Sequence, residues 1–164
     1  GPIGAEVVRL ALALNMKVEA VRRTPSGDEL CITRPMTQLH EVLSHADWVV
    51  SALPLTEETR GIFGAGAFGS MRKGARFVNV GRGELVDEEA LIAALRSGHL
   101  SGAALDVFST EPLPQDSPLW EMENVIITPH NSATSTSTGA RSERIFLDNL
   151  RAWAEGRPLH NIAN

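Results

Sequence analysis

The chain contains five short apolar runs, each of which ends at residues suited to bind a ligand. The runs cover residues 18–21, 48–53, 77–80, 103–105 and 125–127. The groups that follow them are Arg22 with Arg23, residues 54–56, Gly81 with Arg82, Asp106 with Glu111, and His130. Short apolar, β-branched runs are typical of buried strands. Because ligands bind at the carboxyl ends of strands in an open parallel sheet, this order predicts one crevice lined by these groups.

Segments with helical periodicity separate the runs. The pattern predicts strands at 17–22, 47–53, 75–80, 102–107 and 124–128, and helices at 4–15, 36–45, 65–72, 88–97 and 135–155. Residues 24–28 form a predicted loop, Asp87 is a predicted N-cap, and Gly98 ends the fourth helix. The alternation predicts βαβ units with helices on both faces of a parallel sheet, a Rossmann-type doubly wound α/β fold.

Composition narrows the class of protein. A length of 164 residues fits one domain, and 43% hydrophobic with 21% charged residues is typical of a globular chain. The net charge of −5 gives no reason to expect nucleic acid or an anionic membrane as a partner. No apolar stretch approaches the roughly 20 residues of a membrane span. The single cysteine, Cys31, excludes an internal disulfide and fits the reducing cytoplasm.

The chain begins with Gly1-Pro2-Ile3-Gly4 and passes directly into a helical pattern, with no strand before it. These residues match the last four of the dinucleotide fingerprint G-x-G-x-x-G, in which the last glycine allows close packing of helix on sheet. We therefore expect an N-terminally truncated fold that lacks its first, central strand. A fragment, omitted upstream residues and a cleavage scar all remain possible sources of this start.

A complete G-x-G-x-x-G stands at residues 64–69. A phosphate-binding turn needs a buried strand before it, whereas residues 56–60 are polar. We interpret this copy as the start of an ordinary helix.

Arg22 stands at the end of the strand that follows the truncated fingerprint, about 20 residues after it. In dinucleotide-binding folds the residue at this position contacts the ribose of the cofactor. A carboxylate at this position would bind a 2′-hydroxyl, whereas the guanidinium groups of Arg22 and Arg23 suit a 2′-phosphate. Two solvated arginines at a strand end are an equally good reading of these residues alone.

Arg82, Glu111 and His130 each follow a predicted strand. A guanidinium between glycines can hold a carboxylate, and a carboxylate–imidazole pair supports acid–base catalysis. Taken singly, each residue is more often solvated or structural. No metal site is predicted, because the remaining histidines show no ligand spacing, and no G-x-S-x-G motif supports a serine nucleophile.

Four segments in order resemble the NAD(P)-dependent D-isomer-specific 2-hydroxyacid dehydrogenase family. They are Leu-Pro-Leu-Thr-x-x-Thr-Arg-Gly at 53–61, Val-Asn-Val-Gly-Arg-Gly-Glu-Leu-Val-Asp-Glu at 78–88, Ala-Leu-Asp-Val-Phe-x-x-Glu-Pro-Leu at 104–113 and Thr-Pro-His at 128–130. The resemblance covers essentially the whole chain and implies a dinucleotide-binding domain over residues 1–164.

The resemblance implies the catalytic roles. Arg82 would bind the carboxylate and keto oxygen of a small 2-oxo acid. His130 would give a proton to that oxygen as hydride arrives from nicotinamide, and would take it back in the oxidative direction. Glu111 would hydrogen-bond His130, orient its ring and favour its protonated form.

The resemblance also implies a cofactor-binding set along the chain. Asp106 would meet the nicotinamide carboxamide, and His130 to Ala133 would close that pocket. The full set is Gly1, Pro2, Ile3, Arg22, Arg23, Thr24, Leu53, Pro54, Thr59, Val80, Gly81, Arg82, Asp106, His130 and Ala133. Arg22 replaces the family's usual Asp, which favours NADP(H) with NAD(H) possible, as in the glyoxylate/hydroxypyruvate reductase branch.

The N-terminal substrate domain of the family is absent from these residues, and the segment after about 156 would lead back toward it. The residues alone should therefore be inactive. The family forms homodimers through its cofactor domain, and Ala103, Leu119 and Trp120 could serve that surface or the core. A nucleotide-sensing corepressor on the same fold and an inactive remnant are the alternatives to an enzyme.

Overall fold

The structure, a computed structural model, describes residues 1–162. These residues divide into two compact units, 1–130 and 131–162. The first unit holds the strands and four of the α-helices, and the second holds one long α-helix.

The six strands of the first unit are all parallel to their neighbours. They are β1 (Glu19–Arg22), β2 (Ile32–Pro35), β3 (Trp48–Ser51), β4 (Ala75–Asn79), β5 (Leu100–Leu105) and β6 (Val125–Ile127). β1 pairs with β2, and a separate sheet has the order β3-β4-β5-β6. β1 and β3 are unpaired with each other in the described part of the chain.

Residues 1–162 contain five α-helices. They are α1 (Pro2–Ala13), α2 (Leu39–Leu43), α3 (Ala65–Ser70), α4 (Glu88–Arg96) and, in the second unit, α5 (Thr138–Ala154). Asp87 caps α4, because its Oδ1 accepts a hydrogen bond from the backbone N–H of Ala90 at 3.1 Å. Gly98, with φ 68°, turns the chain back from α4 into β5, a conformation that glycine adopts at little cost.

The core lies where α3 and α4 cover the four-stranded sheet. Three aromatic rings form its centre, since Phe77 of β4 lies 4.9 Å from Phe63 and 5.3 Å from Phe68 between ring centroids. Leu91 and Leu95 of α4 are buried beside them. This packing makes the four-stranded sheet a rigid platform for the loops at its carboxyl edge.

The structure confirms the predicted order of elements but corrects several of them. Residues 32–35, which the pattern left without structure, form β2; the segment is short and ends in Pro35, so it carries almost no strand signal. Within the described residues a Cβ at Gly4 would meet nothing within 4 Å, so the close packing of Gly4 on a sheet stays a prediction. α1 starts at Pro2, since proline is favoured in the first turn of a helix, and α1 contains no buried residue.

The boundaries of other elements also move. The predicted strand at 47–53 ends at Ser51, β5 begins at Leu100 instead of 102, and the predicted helix at 36–45 divides into a 3-10 turn (Met36–Gln38) and α2. Residues 64–69 contain Gly64 as the N-cap of α3, with no strand directly before it. The interpretation of this glycine motif as a helix start is confirmed.

Candidate active site at the carboxyl edge of the sheet

The pairing of β4, β5 and β6 brings three loops to one edge. Asn79 is in register with Leu105, which is in register with Ile127. The chain leaves these positions toward Arg82, Glu111 and His130 respectively. The residues for which the sequence predicted chemistry therefore come from neighbouring loops.

Glu111 and His130 form a hydrogen-bonded pair. The Nδ1 atom of His130 lies 2.7 Å from Oε2 of Glu111, and the two side chains are 46% and 34% exposed. The backbone N–H of His130 donates to the carbonyl of Asp106 at 2.9 Å. The backbone of His130 has φ 50°, a left-handed conformation that residues other than glycine adopt rarely and that is found most often at functional sites. The loop is thus held so that the ring meets the carboxylate.

The environment of Glu111 favours its ionised form. The hydrogen bond from His130, followed by one from the backbone N–H of Phe108 to Oε1 at 2.9 Å, holds the pKa of Glu111 below its ordinary value. Because Nδ1 of His130 is engaged by this carboxylate, the other ring nitrogen, Nε2, is the one left for proton transfer.

Arg82 lies in a turn that Asn79 builds. The Asn79 side chain is 1% exposed. It donates from Nδ2 to the carbonyl of Arg82 at 2.9 Å and accepts from the backbone N–H of Gly81 at 3.1 Å. Arg82 itself donates from Nη1 to the carbonyl of Gly81 at 2.7 Å. Sequence reasoning missed Asn79, although a buried amide in the middle of Val-Asn-Val was a visible signal.

Arg82, Glu111 and His130 line one open cleft of about 250 Å³. Its lining residues are Arg82, Gly83, Glu84, Phe108, Ser109, Glu111 and His130. Gly83 was also missed as a site residue. A Cβ at Gly83 would lie 1.8 Å from the carbonyl carbon of Phe108, so only glycine permits the two loops to approach this closely.

Five residues of the predicted cofactor-binding set belong to two neighbouring segments, 53–59 and 80–81. Thr59 Oγ1 donates to the carbonyl of Pro54 at 2.8 Å and accepts from the backbone N–H of Thr56. The carbonyl of Leu53 would be 2.8 Å from a Cβ at Gly81, so the backbones of these two segments are in close contact. The N–H of Val80 donates to the carbonyl of Ser51 at 3.0 Å.

Asp106, another predicted cofactor residue, is buried, with 4% exposure. Its Oδ1 accepts a hydrogen bond from Thr128 Oγ1 at 2.6 Å. This contact links the ends of β5 and β6 beneath the cleft.

Three groups of predicted residues lie on other elements. Gly1 is the N-cap of α1, where Pro2 and Ile3 form the first turn. Arg22 is the last residue of β1, Arg23 and Thr24 follow it, and all three are exposed. Ala133 lies in the second unit, where its carbonyl accepts a hydrogen bond from Thr138.

Residues 1–162 contain no group of three or more His, Cys, Asp or Glu side chains placed to hold a metal ion. Among the same residues, none of the helices combines the length and apolar character that crossing a membrane requires.

Comparison with known proteins identifies the family. The profile of the D-isomer specific 2-hydroxyacid dehydrogenase NAD-binding domain matches residues 1–132. The chain belongs to this family. The family resemblance stated from the four segments, and the Rossmann-type fold inferred with it, are thereby confirmed.

Three relatives illustrate the similarity. The glyoxylate/hydroxypyruvate reductase B of Citrobacter koseri is 41% identical over 172 residues, covering all of this chain and 53% of that protein. The NADPH-dependent glyoxylate/hydroxypyruvate reductase of Sinorhizobium meliloti, solved with NADP and sulfate, has a TM-score of 0.90 and 33% identity over the whole chain and 53% of that structure. A D-isomer specific 2-hydroxyacid dehydrogenase of Xanthobacter autotrophicus, solved with NADPH and MES, has a TM-score of 0.85 and 41% identity, covering 94% of this chain and 64% of that one.

The chain spans about half the length of the curated relatives it matches. The part of these relatives that it matches includes the NAD-binding domain.

Proposed function

We propose that the full-length protein reduces a small 2-oxo acid, such as glyoxylate or hydroxypyruvate, to the D-2-hydroxy acid with NADPH. The observation that carries the proposal is the Glu111–His130 pair, with 2.7 Å between Oε2 and Nδ1, in the same cleft as Arg82. The family membership and the names of the reductases to which the chain is similar support the same activity.

The residues of the cleft can perform the proton-transfer half of this reaction. The guanidinium of Arg82 pairs with the substrate carboxylate and hydrogen-bonds the keto oxygen. Nε2 of a protonated His130 gives its proton to that oxygen, and the carboxylate of Glu111 stabilises the ring in the donating orientation. The nicotinamide, when bound, supplies the hydride to the carbonyl carbon. The products are the hydroxy acid, neutral His130 and the oxidised cofactor, so charge and protons balance.

The chemistry of the donor groups fits a phosphorylated dinucleotide. The first backbone N–H groups of a helix have no intrahelical partner and can bind an anion. At the start of α1, Gly1 is the N-cap, Pro2 follows it, and the first turn contains no acidic side chain. Arg22 and Arg23 add guanidinium groups at the end of β1. These residues would hold the pyrophosphate and the 2′-phosphate respectively, which favours NADP(H) and leaves NAD(H) possible. The NADP and NADPH complexes of the similar structures support this choice.

We further propose that the protein is a cytoplasmic homodimer. The exposed indole of Trp120, 52% accessible, supports an interface on this domain, whereas Ala103 and Leu119 are buried and belong to the core. Cys31 has no disulfide partner, in keeping with a reducing compartment.

The kinetic test compares two histidine variants of the full-length protein. Wild type should oxidise NADPH when glyoxylate or hydroxypyruvate is added, and His130→Ala should lower kcat by about 10²–10⁴, the contribution of a positioned acid. His45→Ala is the matched control, because His45 also pairs with a glutamate, at 3.2 Å from Glu19, but lies outside the cleft. Unchanged turnover in the His130 variant would contradict the mechanism, and NADPH binding without any turnover would favour a sensor.

A further inference from the structure

The loop after β1 contains a carboxylate surrounded by donors. Glu29 Oε1 accepts hydrogen bonds from Arg22 Nη1 at 2.9 Å, from the N–H of Ser26 at 2.7 Å and from Ser26 Oγ at 2.9 Å. Glu29 Oε2 accepts from the N–H of Gly27 at 2.8 Å. The Glu29 side chain is 17% exposed and that of Arg22 is 44% exposed. The loop therefore closes around the carboxylate.

These donors are of the kind that binds phosphate. A guanidinium, a hydroxyl and successive backbone N–H groups form an anion-binding concavity in many proteins. In this chain the anion is a side chain of the same loop. The hydrogen bonds, above all the one from the backbone of Ser26, lower the pKa of Glu29 to about 2, so the carboxylate stays charged throughout the working pH range.

We infer that Glu29 is a specificity-determining residue that competes with the cofactor's 2′-phosphate for Arg22 and for the N–H groups of Ser26 and Gly27. The inference rests on the proposed use of NADPH. A 2′-phosphate brings negative charge to donors that already hold a carboxylate, and it must share or displace that carboxylate. A 2′-hydroxyl does neither, so Glu29 weakens NADPH binding without weakening NADH binding. Glu29 thereby limits the preference for NADPH over NADH that Arg22 creates.

Glu58 provides a matched control for the charge alone. Its Oε2 lies 4.0 Å from Nη1 of Arg23, and both side chains are largely exposed, at 75% and 83%. Such a pair has little interaction energy, so Glu58→Gln removes one negative charge from the same region without releasing a held donor.

The experiment measures the Kd of NADPH and of NADH for the full-length protein by titration calorimetry. Glu29→Gln should tighten NADPH binding by about fivefold, as expected for the release of a partly exposed ion pair, and should change NADH binding by less than about twofold. Glu58→Gln should change both by less than about twofold. In an Arg22→Gln background, Glu29→Gln should tighten NADPH binding less than it does with Arg22 present, because only the N–H groups of Ser26 and Gly27 remain as shared donors.

Three results would overturn the inference. They are weaker NADPH binding in Glu29→Gln, equal tightening for both cofactors, and equal tightening in Glu58→Gln. Unchanged NADH affinity in Glu29→Gln shows that the variant has folded. Arg22→Asp tests the proposed cofactor separately: if wild type prefers NADPH and Arg22→Asp reverses this, a silent Glu29→Gln refutes only the role of Glu29. If wild type shows no preference, the proposed use of NADPH fails instead.

Discussion

Replacing Gly83 with alanine should separate the two loops that form the active-site cleft. The added Cβ would lie 1.8 Å from the carbonyl carbon of Phe108, 2.0 Å from its oxygen and 2.3 Å from the nitrogen of Ser109. Because Cβ contacts below 3.0 Å are essentially never seen, one backbone must move by about 1 Å or more. All three atoms belong to the backbone, so no side-chain rotation can relieve the clash.

The cost of this movement is large because Phe108 is anchored. Its side chain is 5% exposed in the core, and its N–H donates to Glu111. Overpacking of a core typically costs 1–3 kcal/mol and sometimes more, and we expect Gly83→Ala to lie at the upper end, near about 3 kcal/mol. With a denaturant slope of about 1–3 kcal/mol per M, the urea midpoint should fall by about 1 M or more.

Gly69→Ala is the matched control. Gly69 lies in α3, where an added Cβ would meet no atom within 4 Å, and there the same substitution should stabilise the protein by about 0.5–1 kcal/mol. Urea unfolding followed by tryptophan fluorescence measures both variants in the full-length protein. The activity of Gly83→Ala should fall with its stability, because the displaced Phe108 N–H is one of the groups that hold Glu111. A Gly83→Ala protein with the midpoint and turnover of wild type would refute the reasoning.

Two further predictions concern ionisation and assembly. Glu111 should titrate below the ordinary value of about 4.3 in carboxyl ¹³C NMR, and its pKa should rise in His130→Ala, since the first of the two hydrogen bonds that lower it is lost. A folded-state pKa below the unfolded value stabilises the protein above the unfolded pKa, and the contribution disappears as the pH falls through the folded pKa; it should therefore be constant between about pH 6 and 8. A Glu111 pKa that does not change in His130→Ala would contradict the assigned contact. If Trp120 lies in a dimer interface, Trp120→Ser should shift the full-length protein toward monomer in light scattering, whereas Trp153→Ser, also exposed at 71%, should not; an unchanged dimer would place the interface elsewhere.

Local signals in the sequence were sufficient for much of this architecture. The apolar runs that became β3 to β6, the cap at Asp87 and the glycine that ends α4 depend on residues within a few positions of one another. The same locality explains why β2 was missed: only Ile32 and Thr33 of its four residues favour a strand, Pro35 ends it, and its pairing with β1 is a contact that no local pattern shows.

For the candidate site too, some features follow from the sequence and others only from the tertiary structure. The sequence by itself determined which groups follow the strands, and hence that Arg82, Glu111 and His130 meet at one edge, because parallel strands bring their carboxyl ends together. Only the tertiary structure decided what holds those groups, since Asn79 and the bare backbone of Gly83 act through contacts whose distances and directions no local pattern encodes. Arg22 shows the difference most directly: its position at the end of β1 could be predicted from the chain, but its ion pair with Glu29 follows from how the loop between β1 and β2 closes.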